Sequence, residues 1–159
     1  MQIELLCITK PIRGWIKDAC EDYEKRLGGQ LNYRVKQIPP VSNPTAQSKR
    51  AENSHRVKEA ERLLQATASG NFKIALDETG KQLTTREFAE LIDSWRHTAV
   101  NASFYIGGAD GLDRNLLNSA DRCISLSKMT LPHQFARLLF TEQLYRALSI
   151  LSNHPYHRD

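Results

Sequence analysis

The sequence is poor in cysteine, and the few it has are badly placed for covalent or metal staples. Cys7, Cys20 and Cys123 are scattered and odd in number, with no C-x-x-C pair, so neither a disulfide framework nor a zinc ribbon is supported. Cys7 and Cys123 fall in strand-like apolar segments, where a small buried thiol is the expected role. Long apolar runs are missing too; none approaches the roughly 20 residues that a bilayer-spanning helix needs. The opening MQIELLCITK is apolar for only a few residues and carries Glu4, so it reads as a first strand rather than a signal peptide. A cytoplasmic protein with no membrane partner is expected. Eight glycines and six prolines are too few for a low-complexity chain. No G-x-G-x-x-G is present and no Walker lysine follows a glycine loop, which excludes a dinucleotide fingerprint and a P-loop.

What is present suits one globular domain over residues 1–159. The chain is 40% apolar and 25% charged, and a chain of this size buries about two-thirds of its unfolded surface without staples. A net charge of +4 and a pI near 9.1 are compatible with a polyanionic partner without establishing one.

Strand-like and helix-like patterns alternate from end to end. IELLCIT, NYRVKQIP, FKIALDE, ASFYIGG and RCISLS read as strands. Between them, WIKDACEDYEKRL places Trp15, Ile16, Ala19, Tyr23 and Leu27 at helical spacing before Gly28-Gly29. A long helix is expected in TAQSKRAENSHRVKEAERLLQATA, closed by Gly70. Its Lys49, Arg50, Arg56, Lys58 and Arg62 sit among acidic residues and read as a solvated face or a phosphate-contacting one. TTREFAELIDSWRHTA opens with a capping-box pattern, Thr84 with Glu87. TGKQ reads as a turn, ADGLDRNLLNSA as a turn and short helix, and PHQFARLLFTEQLYRALSILSN as the last helix. Such alternation implies α/β architecture, a mostly parallel sheet covered on both faces.

In these sheets ligands bind outside the carboxyl ends of strands, which directs attention to three loops. After FYI, Gly107, Gly108 and Gly111 allow close backbone approach and positive φ. SLSKMTLPHQF offers hydroxyls at Ser127 and Thr130 and enters its helix near Pro132. Asp77 and Glu78, adjacent in a strand, point to opposite faces and suit a turn better than a catalytic acid pair. The last helix is apolar around more than one stripe, so it needs a second apolar contact, in the core or in a partner subunit. On its remaining face Glu142 and Arg146 stand at i,i+4 in the favourable order. Beyond it, NHPYHRD ends the chain in two histidines, a tyrosine and an arginine. The H-x-x-H spacing has no partner motif, with His133 as its only suggested third ligand, so no metal is expected.

Four stretches, LDETGKQLTTREFAELI, FYIGGADGL, SLSKMTLPHQFARLLFTEQLYRA and NHPYHR, together resemble the RlmH family of ribosomal RNA methyltransferases in the SPOUT superfamily. The likeness covers essentially the whole chain in order, and the block from Leu126 to Arg158 is its most specific part. One departure is Thr9-Lys10, where the family often has Gly-Lys. The resemblance implies a SPOUT-type α/β fold with a C-terminal trefoil knot, in a homodimer. It implies methyl transfer from S-adenosylmethionine to N3 of a pseudouridine in 23S ribosomal RNA, on assembled ribosomes. Carried onto these positions, the cofactor pocket is Leu76, Gly107 and Gly108 with the run Leu126, Ser127, Lys128, Met129, Thr130 and Leu131. His154 and His157 become candidates for positioning the base and accepting its N3 proton. Tyr156 is a candidate for stacking on a base, and His133, Arg137, Arg146 and Arg158 for holding the RNA. The tail of one subunit is expected over the other's pocket. Two other readings stand beside this one: a methyltransferase of the same fold acting on another RNA, and a non-catalytic RNA-binding or ribosome-assembly module.

Overall fold

The computed structural model describes residues 1–41 and 49–157, for 49–53 the backbone only. Along it run β1 (Gln2–Ile8), α1 (Gly14–Leu27), β2 (Asn32–Ile38), α2 (Lys49–Ala66) and β3 (Phe72–Gln82). Then follow α3 (Thr85–Thr98), β4 (Ala102–Ile106), α4 (Arg114–Ser119), β5 (Arg122–Ser125) and α5 (His133–Leu151). The strands form one sheet in the order β2-β1-β4-β3-β5, every pairing parallel. The α/β expectation holds.

The period-two alternation of the strands separates the molecule into two cores. Ile3, Leu5 and Cys7 of β1 face one side, where Phe104, Phe88, Trp95 and Phe140 pack with α1, α3 and α5. Leu6 and Ile8 face the other side, where Tyr105 meets Ala60 and Leu63 of α2 and Leu116 of α4. Connections through α1 and α3 step one way across the sheet, and those through α2 and α4 step back on the opposite face. All four crossovers thus share one hand, as the twist of parallel strands demands.

Local chemistry fixes the helix ends. Thr84 caps α3: its hydroxyl accepts the Glu87 amide at 3.2 Å while the Glu87 carboxylate accepts the Thr84 amide at 2.7 Å. Pro132 sits at the cap of α5, one position outside the first turn. Trp15, placed by spacing on the buried face of α1, is 64% exposed; Ile16, Cys20 and Leu27 form that face instead. Thr9 is buried, its amide bound to Ile38 and its hydroxyl donating to the Lys10 carbonyl, so the departure from glycine is absorbed locally.

β3 overturns the expected turn at TGKQ. The strand continues to Gln82, bulging between Leu76 and Lys81, and both of those residues register against Ile124 of β5. Gly80 lies so close to this neighbour that a Cβ there would stand 2.6 Å from the Ile124 carbonyl carbon. α5 leaves the edge strand β5 and returns to lie against α1 and α3.

Candidate active site

Three loops behind β3, β4 and β5 converge on one cavity of about 480 Å³. Leu76 to Thr79 form one wall, Ile106 to Leu112 a second, and Leu126, Ser127 and Met129 to Leu131 a third. His133 and Ala136 close it from the first turn of α5. Of the nine residues expected in a cofactor pocket, eight line this space, and Lys128 is exposed outside the lining. A larger hollow, about 660 Å³, opens at the amino-terminal ends of β1 and β2 between Met1, Tyr33 and Arg96, and gathers none of the expected residues. The expected residues thus gather at the smaller cavity.

The glycine loop is shaped by contacts that no side chain survives. A Cβ on Gly107 would lie 2.5 Å from the Gly111 carbonyl carbon and 2.8 Å from the Leu112 nitrogen. Gly111 has φ +77° and its amide donates to the Gly108 carbonyl at 3.1 Å, which folds 108–111 into a tight turn. Beneath it, Glu59 of α2 is buried; its carboxylate accepts the Val41 amide at 3.0 Å. The third loop is tied internally: Ser125 donates to the Ser127 carbonyl, and the Ser127 hydroxyl accepts the Met129 amide, both at 2.9 Å. Across the cavity Thr130 donates to Glu78 at 2.9 Å. Asp77 accepts the Thr79 amide and hydroxyl, the turn role its position suggests. Arg56 and Arg114, from α2 and α4, also reach the lining. Sequence reasoning missed Arg114 and read Arg56 only as part of a solvated or phosphate-contacting helix face, because their approach to this cavity depends on strand order rather than on any local motif.

A family model described as "Predicted SPOUT methyltransferase" matches residues 1–157. The chain belongs to the SPOUT methyltransferase family. Proteins named ribosomal RNA large subunit methyltransferase H match it over their full length and its own. Those from Methylobacillus flagellatus, Neisseria gonorrhoeae and Thiobacillus denitrificans are 38%, 41% and 39% identical. A solved structure of a probable methylase family protein from Haemophilus influenzae matches 99% of the chain and 70% of its own, with a TM-score of 0.55 at 13% identity, a likeness of fold alone.

Among the described residues, the remaining expected site residues of this methyltransferase lie outside the cavity lining. Arg137 is buried, and its Nη2 donates to Glu24 of α1 at 2.8 Å while Nε and Nη1 find no partner among the described residues. It bridges α1 and α5 in the core and reaches no RNA from there, so the phosphate-holding role does not fit. Arg146 is bound to Glu142, as the i,i+4 spacing anticipated. Tyr156 has its ring edge-on to Tyr145 at 4.8 Å and beneath the Arg146 guanidinium. Its hydroxyl lies 2.9 Å from that of Tyr23 and 3.1 Å from Glu142. Burial, then the Tyr23 contact, holds that phenol well above its ordinary pKa. A ring so engaged is an anchor for the tail, not a free face for a base. Asn153 turns the chain back at φ +54°, and the Tyr156 amide donates to Nδ1 of His154. Tyr145 lies twelve residues along α5 from His133, roughly 18 Å at the helical rise. Within one chain, then, His154, Tyr156 and His157 do not reach the cavity, and Arg158 lies outside the described residues. Among the described residues no group of three or more metal-ligating side chains assembles, and no helix is long and apolar enough to cross a membrane.

Proposed function

We propose that this methyltransferase carries the methyl group of S-adenosylmethionine to N3 of a pseudouridine in 23S ribosomal RNA, on assembled ribosomes in the cytoplasm. The observation that carries this reading is the meeting of the three motif-bearing loops on one cavity. The relatives' full-length identity supplies the substrate class.

The residues present fit the donor. Leu76, Ile106, Leu126 and Leu131 give apolar walls for a purine and a thioether chain. Gly107 lets the turn at 108–111 close against its main chain, where a Cβ would intrude, and so shapes that wall. Asp77 in the lining adds a carboxylate that would complement the donor's positive charge. When bound, the donor supplies an electrophilic methyl carbon, and the protein's share is placement and electrostatics. Backbone and leucines would hold the donor, with His133 in the same lining. His154 or His157 of a second subunit would accept the single proton that N3 sheds as the methyl group passes from sulfur to nitrogen, the sulfur–methyl bond breaking to leave S-adenosylhomocysteine.

The reading requires a homodimer and a knot. For the dimer, the support is the distance of the tail from its own cavity, together with an exposed aromatic pair. Trp15 and Phe135, 64% and 47% exposed, meet edge-on at 5.8 Å where α1 and α5 begin. For the knot, the support is the double pairing of β3 around Ile124 and the return of α5 from the sheet edge to a place between α1 and α3. The test is mass spectrometry of nucleosides from ribosomes lacking the modification, incubated with protein and donor. Appearance of N3-methylpseudouridine is expected; a methyl group on any other nucleoside overturns the assignment.

A further inference from the structure

The larger share of the cavity is apolar, yet one side of it carries charges of both signs that the donor's adenosine end and methyl group do not use. Arg56 reaches it from α2 and Arg114 from α4, both on the sheet face opposite α5. Arg56 is half-buried in the concave wall, while Arg114 is exposed at its rim. Asp110 stands on the same rim, at the tip of the glycine turn. The neighbouring acids are already engaged: Asp113 accepts the Asn115 amide at 2.8 Å, Asp77 holds Thr79 and Glu78 holds Thr130. Among the described residues, Asp110 and Arg114 meet no ion-pair partner.

We propose that Arg114 and Arg56 take the carboxylate, and Asp110 the ammonium, of the amino-acid tail of the methyl donor. This assignment rests on the donor reading given above. Cations and an anion lining one cavity complement a zwitterion, and guanidinium groups suit a carboxylate because they can offer two parallel N–H donors. An RNA phosphate at the same place would meet Asp110, Asp77 and Glu78 along with the arginines, and Arg56 lines a hollow instead of projecting toward a backbone. The geometry thus gives the two arginines to the small zwitterion and leaves the polyanion to other surfaces.

The test compares two ligands by calorimetry on the full chain. S-adenosylhomocysteine carries the amino-acid tail; 5′-methylthioadenosine is the same thioether without it. Wild type should prefer the first by about tenfold or more, the fold-change expected of one charge-assisted hydrogen bond. Equal affinity for the two in wild type overturns the proposal. Arg114→Met and Arg56→Met should each weaken S-adenosylhomocysteine by about tenfold while methylthioadenosine stays within about twofold. In the variant that adds Asp110→Asn to both arginine substitutions the preference should collapse toward one. A preference that survives this triple substitution overturns the proposal, and does so in favour of RNA if ribosome binding without donor falls instead. Arg114→Lys, which keeps a cation in place, should keep part of the preference. If wild type binds neither compound, the donor reading fails and this assignment falls with it; a lost preference with adenosine binding intact touches only the tail.

Discussion

Gly107→Ala isolates the part of the site that main chain alone creates. The added methyl carbon would sit 2.5 Å from the Gly111 carbonyl carbon, 2.7 Å from its oxygen and 2.8 Å from the Leu112 nitrogen. Ordinary contact begins near 3.4 Å, so the turn at 108–111 has to retreat by about 1 Å, and the atoms in its way are backbone that cannot rotate aside. Overpacking of this kind costs about 1–3 kcal/mol of stability. The same displacement moves a wall of the donor cavity, and a misplacement of about 1 Å at a reacting site can cost about 100-fold in rate. Calorimetry with S-adenosylhomocysteine and thermal unfolding read the two effects separately. Gly29→Ala is the control, since a Cβ there meets nothing within 4 Å and its φ is not positive. Donor affinity within about twofold of wild type, at an undiminished melting temperature, would refute the claim that this close approach shapes the pocket.

Three further outcomes are expected. Deleting residues 153–159 should abolish methylation yet leave donor affinity unchanged, because the cavity in each chain is lined without them; unchanged methylation refutes the role of the tail. Glu24→Ala should destabilise by about 3 kcal/mol, since it strands a buried guanidinium, whereas Arg137→Met should cost less by leaving only a partly exposed carboxylate; urea unfolding that ranks them the other way refutes the bridge. The Thr84 amide, then its hydroxyl, holds the Glu87 carboxyl below its ordinary range. A depressed folded-state pKa stabilises above the unfolded value and loses that contribution as pH falls through the carboxylate range. The acid limb of the stability profile should therefore be shallower in Glu87→Gln, and an identical limb refutes the capping box as its source.

How far the sequence disclosed the molecule can be followed at particular residues. Strand and helix patterns, the Thr84 box and the Glu142–Arg146 pair depend on neighbours within a few positions, and all are in the structure. The three loops were identifiable because carboxyl ends of parallel strands collect ligands whatever the strand order. β3 beyond Glu78 was not, since Thr79 and Gly80 favour a turn locally and only the second pairing with β5 keeps the segment extended. Arg137 misled because its charge suggests a phosphate. Its position carried the opposite signal: it shares a helical face with Thr141, Leu144 and Leu148, all buried. Tyr156 misled for a similar reason, its partners Tyr23 and Glu142 being brought to it only by the folded α1 and α5.

The double registration of β3 on Ile124 has a bearing on biosynthesis. Of the three walls of the cavity, only the one at 76–79 lies within the first hundred residues; the other two follow β4 and β5. Because domains acquire order from the amino terminus as they emerge, the cavity closes only once β5 has paired with β3.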